Sequence, residues 1–197
     1  MLFRSTERKK QLPKKAIFAK FDLKPSQRES FDADIARIDI VAVVSSTTVP
    51  ALSEGTEIKE FYVLAVQMKR KEYDSKNIAL LTKLIPQKMV FALMFEDETQ
   101  LATYCTRLIT SEWQSTEDAT IPLSGLTLDA VWENIIATIG NITIVGSNNI
   151  VEQIAEDDAH AKLMKQIELL EKKVRAEKQP RKKLELFEKL KELKKKL

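Results

Sequence analysis

KEFYVLAVQMK, residues 59–69, is the run on which the fold turns. Aromatic and β-branched residues fill it, and apolar side chains fall on both alternating sets, Phe61, Val63 and Ala65 on one and Tyr62, Leu64 and Val66 on the other. A strand apolar on both faces belongs at the centre of a covered sheet. Upstream, IARIDIVAVV (35–44) sets Ile38, Ile40, Ala42 and Val44 against Arg37, Asp39, Val41 and Val43, which predicts a strand with one face buried and the other partly so. The loop SSTTVPALSEGTE (45–57), punctuated by Pro50 and Gly55, joins the two. Downstream, Asp74 or Ser75 caps a predicted helix with Ile78, Leu81 and Ile85 on one face, Leu80 and Leu84 beside them, and Pro86 closing it. Met89–Phe95 and Gln100–Ile109 read as a hairpin around Glu96-Asp97-Glu98, with Trp113 on a third strand or an extension.

Farther out, Thr127 caps a helix whose Leu128, Val131, Trp132, Ile135, Ile136 and Ile139 keep helical spacing until Gly140-Asn141 stops it. Before the first strand, Pro13 opens KKAIFAKF as a short helix with Ile17, Phe18 and Phe21 inward, and a second helix spans Pro25 to Asp34. The resulting order of elements predicts an α+β body, a mixed β-sheet packed with helices, over residues 13–148. Residues 1–12 are expected to be a basic, flexible N-terminus.

Residues 149–197 differ in kind. Leu163, Ile167, Leu170 and Val174 are spaced four, three, four, and Leu186, Leu190, Leu193 and Leu197 repeat the pattern. Both are heptad seams set among Lys and Glu. Between them Gln179 precedes Pro180, which pushes it out of helical geometry. The arm is therefore either an antiparallel helical hairpin or a kinked coiled-coil extension, and a seam of two heptads has to pack on something.

Charge divides the same way. Residues 1–20 carry seven Lys/Arg against one Glu, and residues 161–197 carry fourteen against six. The 140 residues between hold eleven against twenty-two, so the formal charge of +3 hides an acidic body between basic ends. Clusters at Lys9, Lys10, Lys14 and Lys15, and at Arg181, Lys182 and Lys183, suit diffuse attraction to phosphates or an acidic protein surface. One cysteine excludes an internal disulfide framework or a multi-cysteine metal site, and one histidine, His160, leaves no two-histidine site. No glycine-rich phosphate loop is present. The opening residues lack the apolar core of a secretory signal and no run approaches a membrane span, so a reducing, cytoplasmic setting is expected.

Several stretches in order, LPKKAIF (12–18), EFYVLAVQMKRKEYD (60–74), LIPQKMVFAL (84–93), SEW (111–113), PLSGLTLDAVWENII (122–136) and EKQPRKKLEL (177–186), together resemble a bacterial family catalogued as domain of unknown function 4391. The resemblance spans the chain from Leu12 onward and implies no established activity. It does imply a setting, because members tend to be encoded beside methyltransferases and helicases of restriction-like defence systems. Two departures from the family pattern stand out: Gln67-Met68-Lys69 where members often carry an acidic residue, an apolar residue and lysine, and Pro180 within the charged C-terminal motif.

Two functions follow as expectations. The leading one is a non-enzymatic accessory or adaptor subunit of a DNA-processing or phage-defence system, docking a helicase or methyltransferase subunit, or the DNA backbone, through the arm. It uses no cofactor and no membrane, and self-association through the arm is a third possibility. The alternative is a metal-dependent nuclease. Gln67 and Lys69, two apart on a strand, face one side, and a carboxylate from Asp39, Glu54 or Glu57 completes a Mg²⁺ site in which lysine stabilises developing charge. Glutamine is a poor ligand for a hard cation, which weighs against it.

Overall fold

The computed structural model describes residues 6–143 and 149–195. The chain forms two compact units, Met1–Thr143 and Ile144–Leu197. The expected boundary at residue 148 lies outside the described residues.

The first unit is built on a mixed sheet, seven-stranded among the described residues, in the order β1 (Glu7–Gln11), β2 (Ile35–Ser45), β3 (Glu60–Met68), β4 (Lys88–Phe95), β5 (Glu98–Tyr104) and β6 (Leu108–Thr110), with β7 (Gln114–Ser115) also on β5. Only β3 and β4 run parallel among these pairs; the others are antiparallel. KEFYVLAVQMK is the central strand its two apolar faces predict. The mixed sheet packed with helices is the α+β architecture read from the sequence.

Four departures from the expected elements have physical reasons. Glu7–Gln11 pairs with β2 as an edge strand, so this part of the N-terminus is ordered. All five of its residues are exposed, and the charges that look like a mark of disorder blunt an open sheet edge. The helix α3 (Ser75–Leu81) ends before Thr82, four residues short of Pro86; Thr82 returns its hydroxyl to the Ala79 carbonyl, and the proline biases Ile85 away from helix. The second arm of the predicted hairpin breaks at Cys105–Arg107 into β5 and β6, placing Cys105 in the turn. The fourth departure is a bulge in β2. The register shifts between Ile40 and Ala42, so Ile40 pairs with Leu64 and Ala42 with Val63. An inserted residue reverses every later side chain. The single alternation Ile38, Ile40, Ala42, Val44 thus serves both faces of the sheet.

On one face lie α1 (Lys14–Phe21), α2 (Pro25–Asp34) and α3. Ile17, Phe31, Ile78 and Leu81 from these helices form one buried cluster with Ile35, Ile38, Leu64, Val66, Met68, Phe91 and Leu93 from the strands. On the other lies α4 (Leu128–Gly140), capped by the Thr127 hydroxyl on the Ala130 N–H, with Trp132 against Phe61 at 5.5 Å between ring centroids. Its six periodic apolar residues are all buried. In its first turn Asp129 accepts the backbone N–H groups of Thr56 (2.6 Å) and Ile58 (2.8 Å), gathering the loop before β3. Gly55 leaves room for this: a Cβ there would fall 2.2 Å from an Asp129 oxygen.

A second carboxylate ties the helices to the crossover. Asp34, fully buried, closes α2 and accepts the Arg70 Nε (2.7 Å), the Asp74 N–H (2.9 Å) and the Asn77 amide (2.7 Å). Burial pushes its pKa up, but the Asp74, Arg70 and Asn77 hydrogen bonds prevail and hold it below the usual 3.8.

The second unit contains α5 (Ile150–Ala176) and α6 (Pro180–Lys194). Asn149 and Glu152 form a reciprocal capping box at the start of α5. Gln179 is extended, as its proline requires. The chain turns back there, and Lys194 near the end of α6 pairs with Glu171 of α5 at 2.7 Å, so the arm is a helical hairpin.

Replacing Asp34 by alanine strands three donors and should cost about 2–3 kcal/mol at neutral pH. Because the folded-state pKa is depressed, the carboxylate's contribution is present above the unfolded value and lost as pH falls through the folded one. Denaturant melts of wild type and Asp34→Ala should converge below about pH 3.8; a gap that stays constant there contradicts the assignment.

Candidate functional site

Two alanines open a cleft on the α4 face of the sheet. Ala65 of β3 and Ala92 of β4 stand directly opposite each other in the parallel register, where neighbouring positions carry Phe, Val, Leu and Met. Small side chains on adjacent central strands leave a hollow of about 450 Å³, with Val41, Phe61 and Met94 around it and Ile121 and Leu123 in its outer wall. Its polar lining is threonine. The Thr99 hydroxyl donates to Thr116 Oγ1 (2.9 Å), which donates to the Asp97 carbonyl (3.0 Å), leaving the interior of the hollow dominated by carbon.

The sheet brings two of the nuclease candidates to one face and leaves the others apart. Asp39 pairs with Ala65, and Gln67 pairs with Arg37 across β2 and with Met94 across β4. Directly paired residues share a face, so Asp39 and Gln67 both lie on the cleft side, diagonally related across adjacent strands at about 7–8 Å between Cα atoms. Between them stands Arg37, whose guanidinium grips Asp39 with two hydrogen bonds of 2.6 and 2.9 Å. That hydrogen bonding and the Asp39 charge raise the guanidinium's pKa. Lys69 is engaged elsewhere: its Nζ donates to the Asp32 carbonyl at 2.6 Å, a cation on the C-terminal carbonyls of α2. Glu57 and Glu54 line a different, polar hollow with Ser45, Ser46 and Lys88. That hollow lies beyond the start of β3, while Gln67 is near its end, about 23 Å along the strand. The structure therefore brings together Asp39 and Gln67, with Arg37 as an uninvited third, and leaves Glu54 and Glu57 apart. Among the described residues no three His, Cys, Asp or Glu side chains converge as a metal-binding group.

The basic residues are likewise in separate places. Lys9 and Lys10 are exposed on the edge strand β1 and Lys15 on α1. Lys14 turns inward to Asp32 (2.7 Å) and the Ile35 carbonyl, fastening α1 to the end of α2. Arg181, Lys182 and Lys183 occupy the first turn of α6, all exposed. Cations there oppose the helix dipole, and Arg181 is in addition paired with Glu185 one turn on, at 3.7 Å.

In the arm, the expected seam is the protected side of each helix. Ile167 and Leu190 are buried, and Leu163, Leu170, Val174, Leu186 and Leu193 are half-buried; Leu197 lies outside the described residues. A second apolar set, off the seam, is exposed: Leu184 and Phe187 on α6 and Met164 on α5.

Sequence reasoning overlooked the cleft and Asp34. The cleft had a signal, alanine within otherwise bulky strand runs at 65 and 92, but joining them needs the parallel register. Asp34 carries none, because its partners at 70, 74 and 77 meet it only once the crossover forms.

The family model described as a domain of unknown function (DUF4391) matches residues 4–197. No curated protein and no solved structure matches the chain.

The cleft can be checked by filling it. Ala65→Leu projects into open space and should change unfolding free energy by less than about 1 kcal/mol, whereas Ala102→Leu, at a fully buried position, should cost about 1–3 kcal/mol by overpacking. Chemical denaturation of both variants decides it; equal losses would mean the hollow is closed.

Proposed function

The chain belongs to the DUF4391 family, and we propose that it is a non-enzymatic adaptor subunit that docks a protein partner through its helical hairpin, in a DNA-processing or phage-defence system. The observation carrying this reading is the division of the arm's apolar residues. One set, with Ile167 and Leu190 at its centre, is withdrawn from solvent, while Leu184 and Phe187 remain exposed. A hairpin needs its seam to hold its shape, and it does not need the second set. Large apolar groups left in water on a Lys-rich helix are the usual mark of an interaction surface. The setting comes from the resemblance, whose members are encoded beside helicases and methyltransferases.

Affinity capture of the full-length chain from its native cells, at low and high salt, tests the adaptor role. A helicase or methyltransferase subunit should be retained at high salt and released by Leu190→Asp, which sets a carboxylate into the seam. Nucleic acid as the sole captured species, lost as salt rises, would overturn the reading in favour of phosphate binding by the basic ends.

A second reading, the metal-dependent nuclease, is supported by one observation: Asp39 and Gln67 share a face at the carboxyl end of β3, beside its parallel partner β4. Ligands of open α/β sheets bind beyond the carboxyl ends of parallel strands. For Mg²⁺ to bind, Asp39 must exchange the Arg37 guanidinium for the metal. Under the adaptor reading, purified protein with Mg²⁺ leaves linear duplex DNA intact. Cleavage abolished by both Asp39→Ala and Lys69→Ala would instead establish the nuclease.

A further inference from the structure

We infer that the exposed face of the hairpin receives an acidic amphipathic helix of its protein partner, an inference that rests on the adaptor reading and specifies the chemistry of the contact. On α6, Leu184 is 60% and Phe187 54% exposed, and they lie one turn apart. With Pro180 and Lys191 they continue a four, three, four spacing of their own, a stripe whose middle lies about 120° around the helix from the middle of the Leu186, Leu190 and Leu193 seam. Residue 194 follows residue 187 by seven positions, so Phe187 and Lys194 project from one side of α6. Lys194 crosses to Glu171 and borders a groove of about 520 Å³ whose apolar lining is Met164 and Ile167 of α5. Phe187 therefore faces the same side of the hairpin as that groove. Apolar anchors on successive turns beside a groove fit a helix better than a flat or extended ligand.

Charge selects the sign of that helix. The acidic residues bordering the groove are already neutralised, Glu168 by Lys172 and Glu171 by Lys194, each at 2.7 Å. Both carboxyls are held below their ordinary pKa, first by the hydrogen bond from the paired lysine and then by its charge. Lys183 flanks the Leu184–Phe187 stripe and Lys191 continues it, and among the described residues neither is drawn into an ion pair. Of the remaining acids of α6, Glu185 and Glu192 lie about 100° or more around the helix from the middle of the stripe, while Glu188, four residues after Leu184, borders it on the side away from Lys183. A partner helix with apolar anchors and Glu or Asp along the edge that meets Lys183 and Lys191 satisfies both features. A basic helix would meet unopposed lysines, and DNA would leave Phe187 and Leu184 with nothing to cover them.

The probe is a fluorescently labelled synthetic helix with Leu at heptad core positions and Glu elsewhere, compared with the same peptide carrying Lys for Glu. Anisotropy with the full-length chain should show binding of the Glu peptide and none of the Lys peptide. The double variant Leu184→Ala/Phe187→Ala, at exposed positions where alanine favours helix, should keep its circular dichroism and bind the Glu peptide at least about tenfold more weakly. Lys183→Glu/Lys191→Glu should slow association and reduce its dependence on salt. Failure of the Glu peptide to bind, equal binding of both peptides, or wild-type affinity in the double alanine variant would each overturn the inference. So would a full-length dimer that the double alanine variant makes monomeric, since the face then belongs to a second copy. Competition by short duplex DNA that survives the double alanine change would also overturn it. A captured protein partner retained at high salt alongside any of these results leaves the adaptor role standing and removes only this account of its contact.

Discussion

A carboxylate withdrawn from water has to be surrounded by donors, and in this protein three donors come from one stretch of chain distant in sequence. Asp34 ends α2 and begins the turn into β2, while Arg70, Asp74 and Asn77 lie along the crossover from β3 to α3. The Lys69 N–H adds a backbone bond to the Asp34 carbonyl. Satisfying this one group fixes where β3 stops, where α3 begins and how the helical layer meets the sheet. The parallel pairing of β3 with β4 depends on that crossover, since parallel neighbours cannot be joined by a tight turn. The Ala65–Ala92 juxtaposition and the placement of Gln67 beside Met94 both follow from that pairing.

The sheet so fixed is asymmetric. Its α1–α3 face is filled with large side chains, whereas the opposite face is thinned by two alanines and rephased by the bulge in β2. The bulge sends Ala42 and Val44 toward the cleft, while Ile38 and Ile40 remain with the helices. Asp39, just before the bulge, is held at the sheet end of the same cleft face, where Arg37 neutralises it. The same lysine-and-carboxamide spacing that suggests a hydrolytic site is thereby split between an ion pair on the cleft side and a helix-capping contact from Lys69. Local spacing on a strand specifies a face and nothing more; partners on neighbouring strands decide what stands opposite.

The arm solves a different problem. Its helices are mostly charged, so propensity and i,i+4 pairs such as Glu168–Lys172 support them without defining a shape. The seam supplies the shape, and the Lys194–Glu171 pair ties the end of α6 back to α5. Phe187 and Leu184 add nothing to either task. Their exposure, beside lysines without ionic partners in the hairpin, is the feature on which the proposed partner contact rests.

Most of the elements were determined by the sequence alone. Pro25, Asp74, Thr127 and Gly140-Asn141 mark helix ends through local geometry, the period-two and heptad patterns mark strands and seam, and Pro180 marks the start of α6 after the break that follows α5. These signals are local because capping, proline sterics and side-chain periodicity act within a few residues. Tertiary structure decided the rest: that β1 pairs at all, that β2 carries a bulge, that Ala65 meets Ala92, and that Glu57 sits at the far end of β3 from Gln67. Each of those depends on strand register between segments distant in the chain, and register is set by the packing of both faces at once. A single strand's pattern cannot encode that.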